Sequence, residues 1–216
     1  MARSKAVVLL SGGIDSTTTL YYAKNKGYQV FALIFDYGQR HDRELKSAKA
    51  VAKRAKVPYQ VLKIALPWKG SSLLDNKLKV PVRKNLKGIP STYVPARNTI
   101  FLSFALSYAE AIGAKAIFIG ANAIDFSGYP DCRPAFYKAF QQVVKTGTKQ
   151  RTIKVVTPLI DMTKVQIIAL GLKLKAPLDL TWSCYKGGRK PCGVCDSCKL
   201  RQKGFSLLGI RDIIRS

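Results

Sequence analysis

The 216-residue chain is short of acids, of histidine and of long apolar runs. Asp plus Glu number only 12 against 37 Lys plus Arg, a formal net charge of +25. A single histidine, His41, excludes an H-E-x-x-H motif and any histidine-rich metal centre. A Ser-His-Asp or Cys-His mechanism would have to run through that one ring. No apolar run approaches the roughly 20 residues a transmembrane helix needs. Ala6–Leu10 follows Arg3 and Lys5 but ends at once in Ser11-Gly12-Gly13, so it does not read as a signal peptide. Neither an internal repeat nor a low-complexity linker is found. With 47% hydrophobic residues the chain is not a disordered basic tail. Its length suits one α/β domain over residues 1–216, carrying a small appendage.

The basic charge is spread evenly, with 19 basic and 5 acidic side chains in residues 1–108 and 18 and 7 in residues 109–216. Two readings fit it. Lys and Arg neutralise phosphates and release counterions, which points to nucleic acid. A lineage-wide surface bias would give the same number and say little of chemistry. Apart from Asp75 and Asp212, the acids lie in or beside the motif segments described below. That distribution favours a basic surface laid over an unaltered catalytic frame.

Lys5–Leu10, Gln29–Phe35 and Tyr59–Ile64 are short apolar or alternating runs and predict strands. Ser16–Lys26 and Glu44–Lys56 lie between them with helical spacing of Leu45, Ala48, Ala52 and Ala55 in the second. Strands separated by helices imply right-handed crossovers and a parallel sheet covered on both faces. Residues 67–97, with Pro67, Pro81, Pro90 and Pro95, break the rhythm and form a candidate lid. Helix Asn98–Ile112, strand Ala116–Gly120, a polar loop at 122–134, helix Pro134–Val144 and strand Ile153–Val156 follow. Thr163-x-x-Gln166 is a capping box opening a helix to about Leu172. The expected class is α/β, a doubly wound parallel sheet of Rossmann-like type with a cysteine-bearing C-terminal element.

Ser11-Gly12-Gly13-Ile14-Asp15-Ser16 stands between the first strand and the first helix. Ligands of open parallel sheets bind outside the carboxyl ends of the strands. Glycines there let the backbone approach an anion, and the helix N-terminus offers unpaired N–H groups. Ser11, Ser16 and Thr17 add hydroxyls. Asp15 would repel phosphate directly but suits a Mg²⁺ lying between carboxylate and pyrophosphate. The loop is neither G-x-x-x-x-G-K-[ST] nor G-x-G-x-x-G. The rival reading is a tight turn capped by Asp15 or Ser16.

Cys184, Cys192, Cys195 and Cys198 are spaced C-x7-C-x2-C-x2-C. Such spacing can turn four thiolates onto one ion, which suits structural zinc, with residues 182–203 as the zinc-binding subregion. An iron–sulfur cluster uses the same ligands. A disulfide pair is the other alternative, disfavoured in the cytoplasmic setting that the missing export signal suggests. Cys132 is left over, with no histidine beside it, and reads as a small buried residue rather than a nucleophile.

The loop resembles that of the PP-loop ATP pyrophosphatases, which cleave ATP between the α and β phosphates and adenylate a substrate oxygen. The resemblance implies that Leu10, Ser11, Gly12, Gly13, Ile14, Asp15, Ser16, Thr17, Thr18, Thr19 and Leu20 hold ATP, with Asp36 beside the adenosine. Further segments narrow the family. They are Asp36-Tyr37-Gly38-Gln39-Arg40-His41, Val94-Pro95-Ala96-Arg97-Asn98-Thr99, Ser127-Gly128-Tyr129-Pro130-Asp131-Cys132-Arg133-Pro134 and Thr181-Trp182-Ser183-Cys184-Tyr185. Together with Gly120-Ala121-Asn122-Ala123 and the four cysteines they strongly resemble the 7-cyano-7-deazaguanine synthase family of queuosine biosynthesis. Ala135 and Gln166 depart from that family's usual Glu.

The resemblance implies a ligase using ATP, ammonia and 7-carboxy-7-deazaguanine, with successive adenylation of carboxylate and amide and release of AMP and pyrophosphate. Asp15, Ser16, Arg97 and Lys164 are the expected catalytic residues. Tyr37, Gln39, Arg97, Asn98, Asp125, Tyr129, Asp131, Arg133 and Trp182 are expected to bind the substrate. Asp125, Asp131 and Arg133 would read the guanine-like edge, and Tyr129 and Trp182 would stack on the base, with core packing as the rival. His41 reads as a loop-ordering residue. Relatives suggest a cytoplasmic homodimer needing neither membrane nor obligatory nucleic acid. Rival functions are a PP-loop tRNA modifier, a relative attaching a deazaguanine to protein, and a non-catalytic zinc-stabilised nucleic-acid binder.

Overall fold

The structure, a computed structural model, describes residues 2–68, 70–75, 77–79, 88–122, 128–212 and 214. Strand β1 (Lys5–Leu9) leads into α1 (Ile14–Asn25), β2 (Gln29–Asp36), α2 (Arg43–Arg54) and β3 (Tyr59–Lys63). After the long connection come α3 (Arg97–Ala111), β4 (Ala116–Phe118), α4 (Pro134–Gly147), β5 (Lys154–Val156), α5 (Lys164–Lys173) and α6 (Asp196–Leu207). The five strands form one parallel sheet in the order β3-β2-β1-β4-β5. The expected α/β doubly wound class is what the chain adopts.

The period of two along each strand assigns its side chains to the two faces. Val7 and Leu9 of β1, with Leu33 and Phe35 of β2, pack against Leu102, Ala105 and Ala109 of α3 and Phe140 and Val144 of α4. Ala6, Val8, Ala32 and Ile34 face the other way onto Leu20 and Ala23 of α1 and Ala48, Val51 and Ala52 of α2. A third cluster joins Ile14 of α1, Ile167 and Ile168 of α5 and Phe205 of α6. At roughly 1.5–3 kcal/mol per fully buried aliphatic side chain, these layers supply the main driving force for folding.

Strand order reverses between β1 and β4. The chain leaves β1 toward β2 on one side and leaves β4 toward β5 on the other, so the loops after the two strands diverge and open a crevice. Two close contacts set the crevice floor. Gly12 has φ +83°, and a Cβ there would lie 2.5 Å from Glu44 O and Ala48 N of α2. A Cβ at Gly120 would lie 2.8 Å from the Asp15 carbonyl carbon and 2.9 Å from Ser16 N. Only glycine at both points lets the loop after β1 pack between α2 and the end of β4.

Part of the 67–97 connection is packed. Ser71 and Ser72 are buried, and Arg40 donates Nη1 to Ser72 O (3.0 Å) and Leu78 O (3.0 Å). Residues 80–87 lie outside the described residues. Helix α6 carries no sequence signal of the usual kind. Its buried face is Cys198, Arg201, Gly204 and Phe205, helically spaced but not an apolar stripe.

Candidate active site

The crevice holds a cavity of about 280 Å³. Its walls bring together the loop after β1 (Leu10, Ser11, Gly13 to Ser16), the end of β2 and the turn after it (Phe35, Tyr37, Gln39), Arg97 and Asn98 of α3, Tyr129, Lys164 and Trp182. These residues come from most of the chain and line one cavity.

The phosphate loop is ordered by its own hydroxyls. Ser16 Oγ lies 3.0 Å from Ser11 Oγ, donates to Gly13 O (3.2 Å) and accepts from Ser11 N (3.2 Å). Intrahelical bonding begins with Thr17 N to Gly13 O (3.1 Å), so the first N–H groups of α1 have no acceptor within the helix. That end of the helix therefore presents donors and partial positive charge to the cavity. Asp15 sits there with both carboxylate oxygens engaged. Lys164 Nζ lies 2.6 Å from Oδ1 and 2.8 Å from Oδ2. The Thr163–Gln166 capping box holds the start of α5 in register, Gln166 N donating to Thr163 Oγ1 (3.4 Å) and Thr163 N to Gln166 Oε1 (2.8 Å).

Arg97 donates Nη1 to Tyr37 Oη (3.3 Å) and covers the Tyr37 ring at 5.8 Å. Burial works against its charge, but Tyr37, Glu44 and Tyr129 more than offset this and hold its pKa above the ordinary value. Burial and the Asp131 carboxylate push the Cys132 thiol up to about 11, against the pull of Arg97. Cys132 is therefore a neutral thiol at pH 7, in keeping with the non-nucleophilic reading. Gln39 pins the turn after β2 by accepting from Tyr37 N (2.9 Å) and donating to Phe35 O (3.3 Å).

Other expected site residues lie elsewhere. Thr17, Thr18, Thr19 and Leu20 are buried inside α1 and do not line the cavity. Gly12 and Asp36 also fall outside the lining. Asp131 is buried and used structurally. Its Oδ2 accepts from Asn98 N (3.0 Å), and its carbonyl accepts from Asn98 Nδ2 (2.9 Å) and Tyr137 Oη (3.0 Å). Helix α3 has Ala96 at its N-cap with no capping side chain, so Asp131 supplies the missing acceptor from a distant 3-10 turn at Pro130–Cys132. Arg133 is exposed and outside the lining. Asp125 lies outside the described residues.

The Sγ atoms of Cys184, Cys192, Cys195 and Cys198 all lie within 4.8 Å of one another, and none is in a disulfide. Cys192 N donates to Cys184 Sγ (3.3 Å) and Cys195 N to Cys192 Sγ (3.4 Å). Four converging sulfurs with N–H donors aimed at them fit a four-thiolate metal site. The cluster is tied to the cavity. Trp182 N donates to Gly12 O (2.9 Å), and its Nε1 donates to Cys184 O (2.8 Å). Trp182 is 8% exposed, so packing takes most of its ring. His41 Nε2 lies 3.0 Å from the same Cys184 carbonyl, and its ring presses on Gly187, where a Cβ would meet it at 2.2 Å. His41 thus joins the turn after β2 to the cysteine element, the ordering role expected of it.

Sequence reasoning did not single out Arg201, Tyr185 or Glu44 as site residues. Arg201 is buried on α6 and lines the cavity. Its Nε and Nη2 donate to Asp212 (2.7 and 2.9 Å), and Nη1 donates to Thr181 Oγ1 (2.8 Å). Tyr185 and Glu44 also face the cavity. A lone arginine among basic residues and a glutamate in a lysine-rich helix carry no pattern that marks them.

The family model described as "Queuosine biosynthesis protein QueC" matches residues 5–209. The 7-cyano-7-deazaguanine synthase of Acetivibrio thermocellus is 55% identical over 215 residues, covering 97% of this chain and 96% of that protein. That of Thermoplasma volcanium is 51% identical over 217 residues, covering 98% and 90%. Among solved structures, the NMN synthetase of Francisella tularensis matches with TM-score 0.51 at 15% identity, covering 97% of this chain and 79% of that one. A 4-thiouridine synthetase–RNA complex with bound ATP matches with TM-score 0.51 at 20% identity, covering 94% and 53%. These two likenesses concern the fold. The match over nearly the whole sequence makes the chain a member of the QueC family of queuosine biosynthesis proteins.

Proposed function

We propose that the chain is a carbon–nitrogen ligase that converts 7-carboxy-7-deazaguanine and ammonia to 7-cyano-7-deazaguanine at the expense of two ATP. The observation that carries this is the Ser11–Ser16 loop at the reversal of strand order, opening on one cavity with Arg97, Tyr129 and Lys164. Membership of the synthase family supplies the substrate.

In the first half-reaction a substrate carboxylate oxygen attacks the α-phosphorus of ATP and pyrophosphate leaves. Ammonia then attacks the acyl carbon, AMP departs with that oxygen, and a proton is released. In the second half the amide oxygen attacks the α-phosphorus of a second ATP, pyrophosphate leaves and the nitrogen gives up one proton; loss of AMP and of the second N–H proton then leaves the nitrile. Each adenylation and each departure of AMP develops negative charge on phosphate oxygens, so stabilisation is chiefly electrostatic. The α1 N-terminus, Ser11 and Ser16 would cradle pyrophosphate. Arg97 would meet the α-phosphate or the substrate carboxylate. Lys164 would shift from Asp15 to phosphate. Tyr37, Gln39 and Asn98 would line the base pocket, with Tyr129 against the ring.

Asp15 is the residue that would hold Mg²⁺, since this ion usually takes one or two carboxylates plus substrate phosphates. When bound, Mg²⁺ neutralises charge on the pyrophosphate leaving group. Cys184, Cys192, Cys195 and Cys198 would hold zinc as a closed structural site that fixes the Trp182–Cys184 segment beneath the phosphate loop. We further infer a cytoplasmic homodimer acting on the free base without tRNA, on family resemblance alone. Among the described residues no helix is long and apolar enough to cross a membrane.

The test is incubation with ATP, Mg²⁺, ammonium and 7-carboxy-7-deazaguanine, read by mass spectrometry. Nitrile, AMP and pyrophosphate are the expected products. ADP as the sole nucleotide product, or turnover only when tRNA is added, would overturn the proposal.

A further inference from the structure

We propose that Glu44 is the acceptor that reads the N1–H and 2-amino group of the deazaguanine ring, so that it sets specificity for the base. This rests on the ligase function proposed above.

Among the described residues that line the cavity, Asp15 and Glu44 are the acids. Both oxygens of Asp15 are bonded to Lys164. The Glu44 carboxylate makes no hydrogen bond or ion pair among the described residues. It stands in the first turn of α2, which is docked against the phosphate loop where Gly12 meets the Glu44 carbonyl. Its position relative to bound nucleotide is therefore fixed by backbone packing rather than by a flexible loop.

Its surroundings place the carboxyl on the cavity side. The charge of Glu44 is felt by Tyr37 on the turn after β2, by Arg97 on α3 and by Tyr185 on the cysteine element, all of which line the cavity. Burial pushes the Glu44 carboxyl up, while His41 and Arg97 pull it down. A half-buried carboxylate left without a partner costs free energy, and a ligand that brings two donors to it removes that cost.

The ring edge of a 7-deazaguanine presents N1–H and an exocyclic NH₂ side by side, two donors pointing the same way. A carboxylate is acceptor-only with two oxygens at matching separation, so it pairs with both. Adenine at the corresponding edge sets an acceptor nitrogen beside its amino group. It would offer one bond and turn a lone pair against the second oxygen. Glu44 would thus accept the base and reject adenine. The acid first expected to do this among the described residues, Asp131, is occupied in capping α3.

The experiment compares wild type with Glu44→Gln and Glu44→Asp, using 7-carboxy-7-deazaguanine, its 2-desamino analogue and its N1-methyl analogue. Wild type should favour the natural base over each analogue by about 10- to 100-fold in kcat/KM, the worth of a charged hydrogen bond. Glu44→Gln should raise the KM for the natural base by a similar factor, leave the KM for ATP unchanged, and shrink the discrimination against the 2-desamino analogue to a few-fold. Glu44→Asp should restore part of it. Equal use of both analogues by wild type would overturn the proposal whatever the variants do. So would a Glu44→Gln effect confined to the KM for ATP. Wild type that fails to turn over the natural base at all would instead sink the ligase function, a result distinguishable from loss of discrimination alone.

Discussion

Replacing Lys164 with methionine tests the ion pair at the mouth of α1. Lys164 Nζ lies 2.6 and 2.8 Å from the two oxygens of Asp15, and the side chains are 12% and 20% exposed. At an effective dielectric of about 20, such a pair attracts by about 6 kcal/mol before desolvation is counted. Desolvation removes most of that, but deleting one partner leaves the other charge buried and unpaired, at about 3–5 kcal/mol for a fully buried pair. The residual exposure of Asp15 reduces the expected loss to about 2–3 kcal/mol, which for a chain of this size lowers Tm by about 5–10 °C. The double variant Asp15→Asn/Lys164→Met removes both charges and should recover most of the stability. Activity should follow another pattern. If Lys164 stabilises the transferring phosphate, both variants lose about 100-fold or more in kcat. Thermal unfolding and pyrophosphate release measure the two effects separately. A Lys164→Met protein with wild-type Tm, or a double variant no more stable than the single one, would refute the stability reasoning. Full turnover by Lys164→Met would refute the catalytic role.

Three further outcomes follow from the packing and electrostatics. Gly120→Ala puts a Cβ 2.8–2.9 Å from the backbone of Asp15 and Ser16, so it should cost about 1–3 kcal/mol and raise the KM for ATP; unchanged binding of ATP by calorimetry would show that the loop does not depend on this contact. Arg201→Leu strands Asp212, whose partner is 5% exposed, and should lower the urea midpoint by the equivalent of about 3–5 kcal/mol, with recovery in Arg201→Leu/Asp212→Leu. The Cys132 thiol, pushed up to about 11 by burial and Asp131, should alkylate slowly at pH 7 and faster by about tenfold per pH unit until that value. Because this acid is weaker in the folded protein, the stability it contributes is full below the ordinary thiol value of 9.0 and is lost as pH rises through about 11. Alkylation at pH 7 as fast as that of a free thiol would contradict the burial argument.

How much of this was legible depends on where the signal lies. The strands are apolar runs closed by glycine or polar turns, and their order of alternation with helices fixes a parallel sheet, so β1 to β5 and α1 to α5 read directly. The phosphate loop and the four cysteines carry their chemistry in spacing alone. Helix α6 does not, because its buried positions are Cys198, Arg201, Gly204 and Phe205, a face built from a cysteine of the four-sulfur cluster, an ion-pair residue and close-packing residues. Asp131 was readable as a site residue but not as a helix cap, since the groups it satisfies on α3 lie 33 positions away. Lys164 and Asp15 are separated by 149 positions, so the pair exists only once α5 crosses beside α1. Thr17 to Leu20 continue the loop motif in sequence but turn inward with the helix, away from the cavity. Glu44 shows the same limit from the other side. On α2 it stands among lysines and arginines as any solvated residue would, and only the docking of that turn on Gly12 brings it to the cavity.

The most direct measurement follows oxygen. Carboxylate-labelled 7-carboxy-7-deazaguanine carrying two ¹⁸O atoms is incubated with the enzyme, ATP, Mg²⁺ and ammonium, and the phosphate products are weighed. Adenylation of carboxylate and then of amide requires both labels to leave on AMP, one on each of two AMP molecules per nitrile, with none in pyrophosphate. Label in orthophosphate accompanied by ADP, or nitrile formed with a single AMP, would contradict the double-adenylation mechanism.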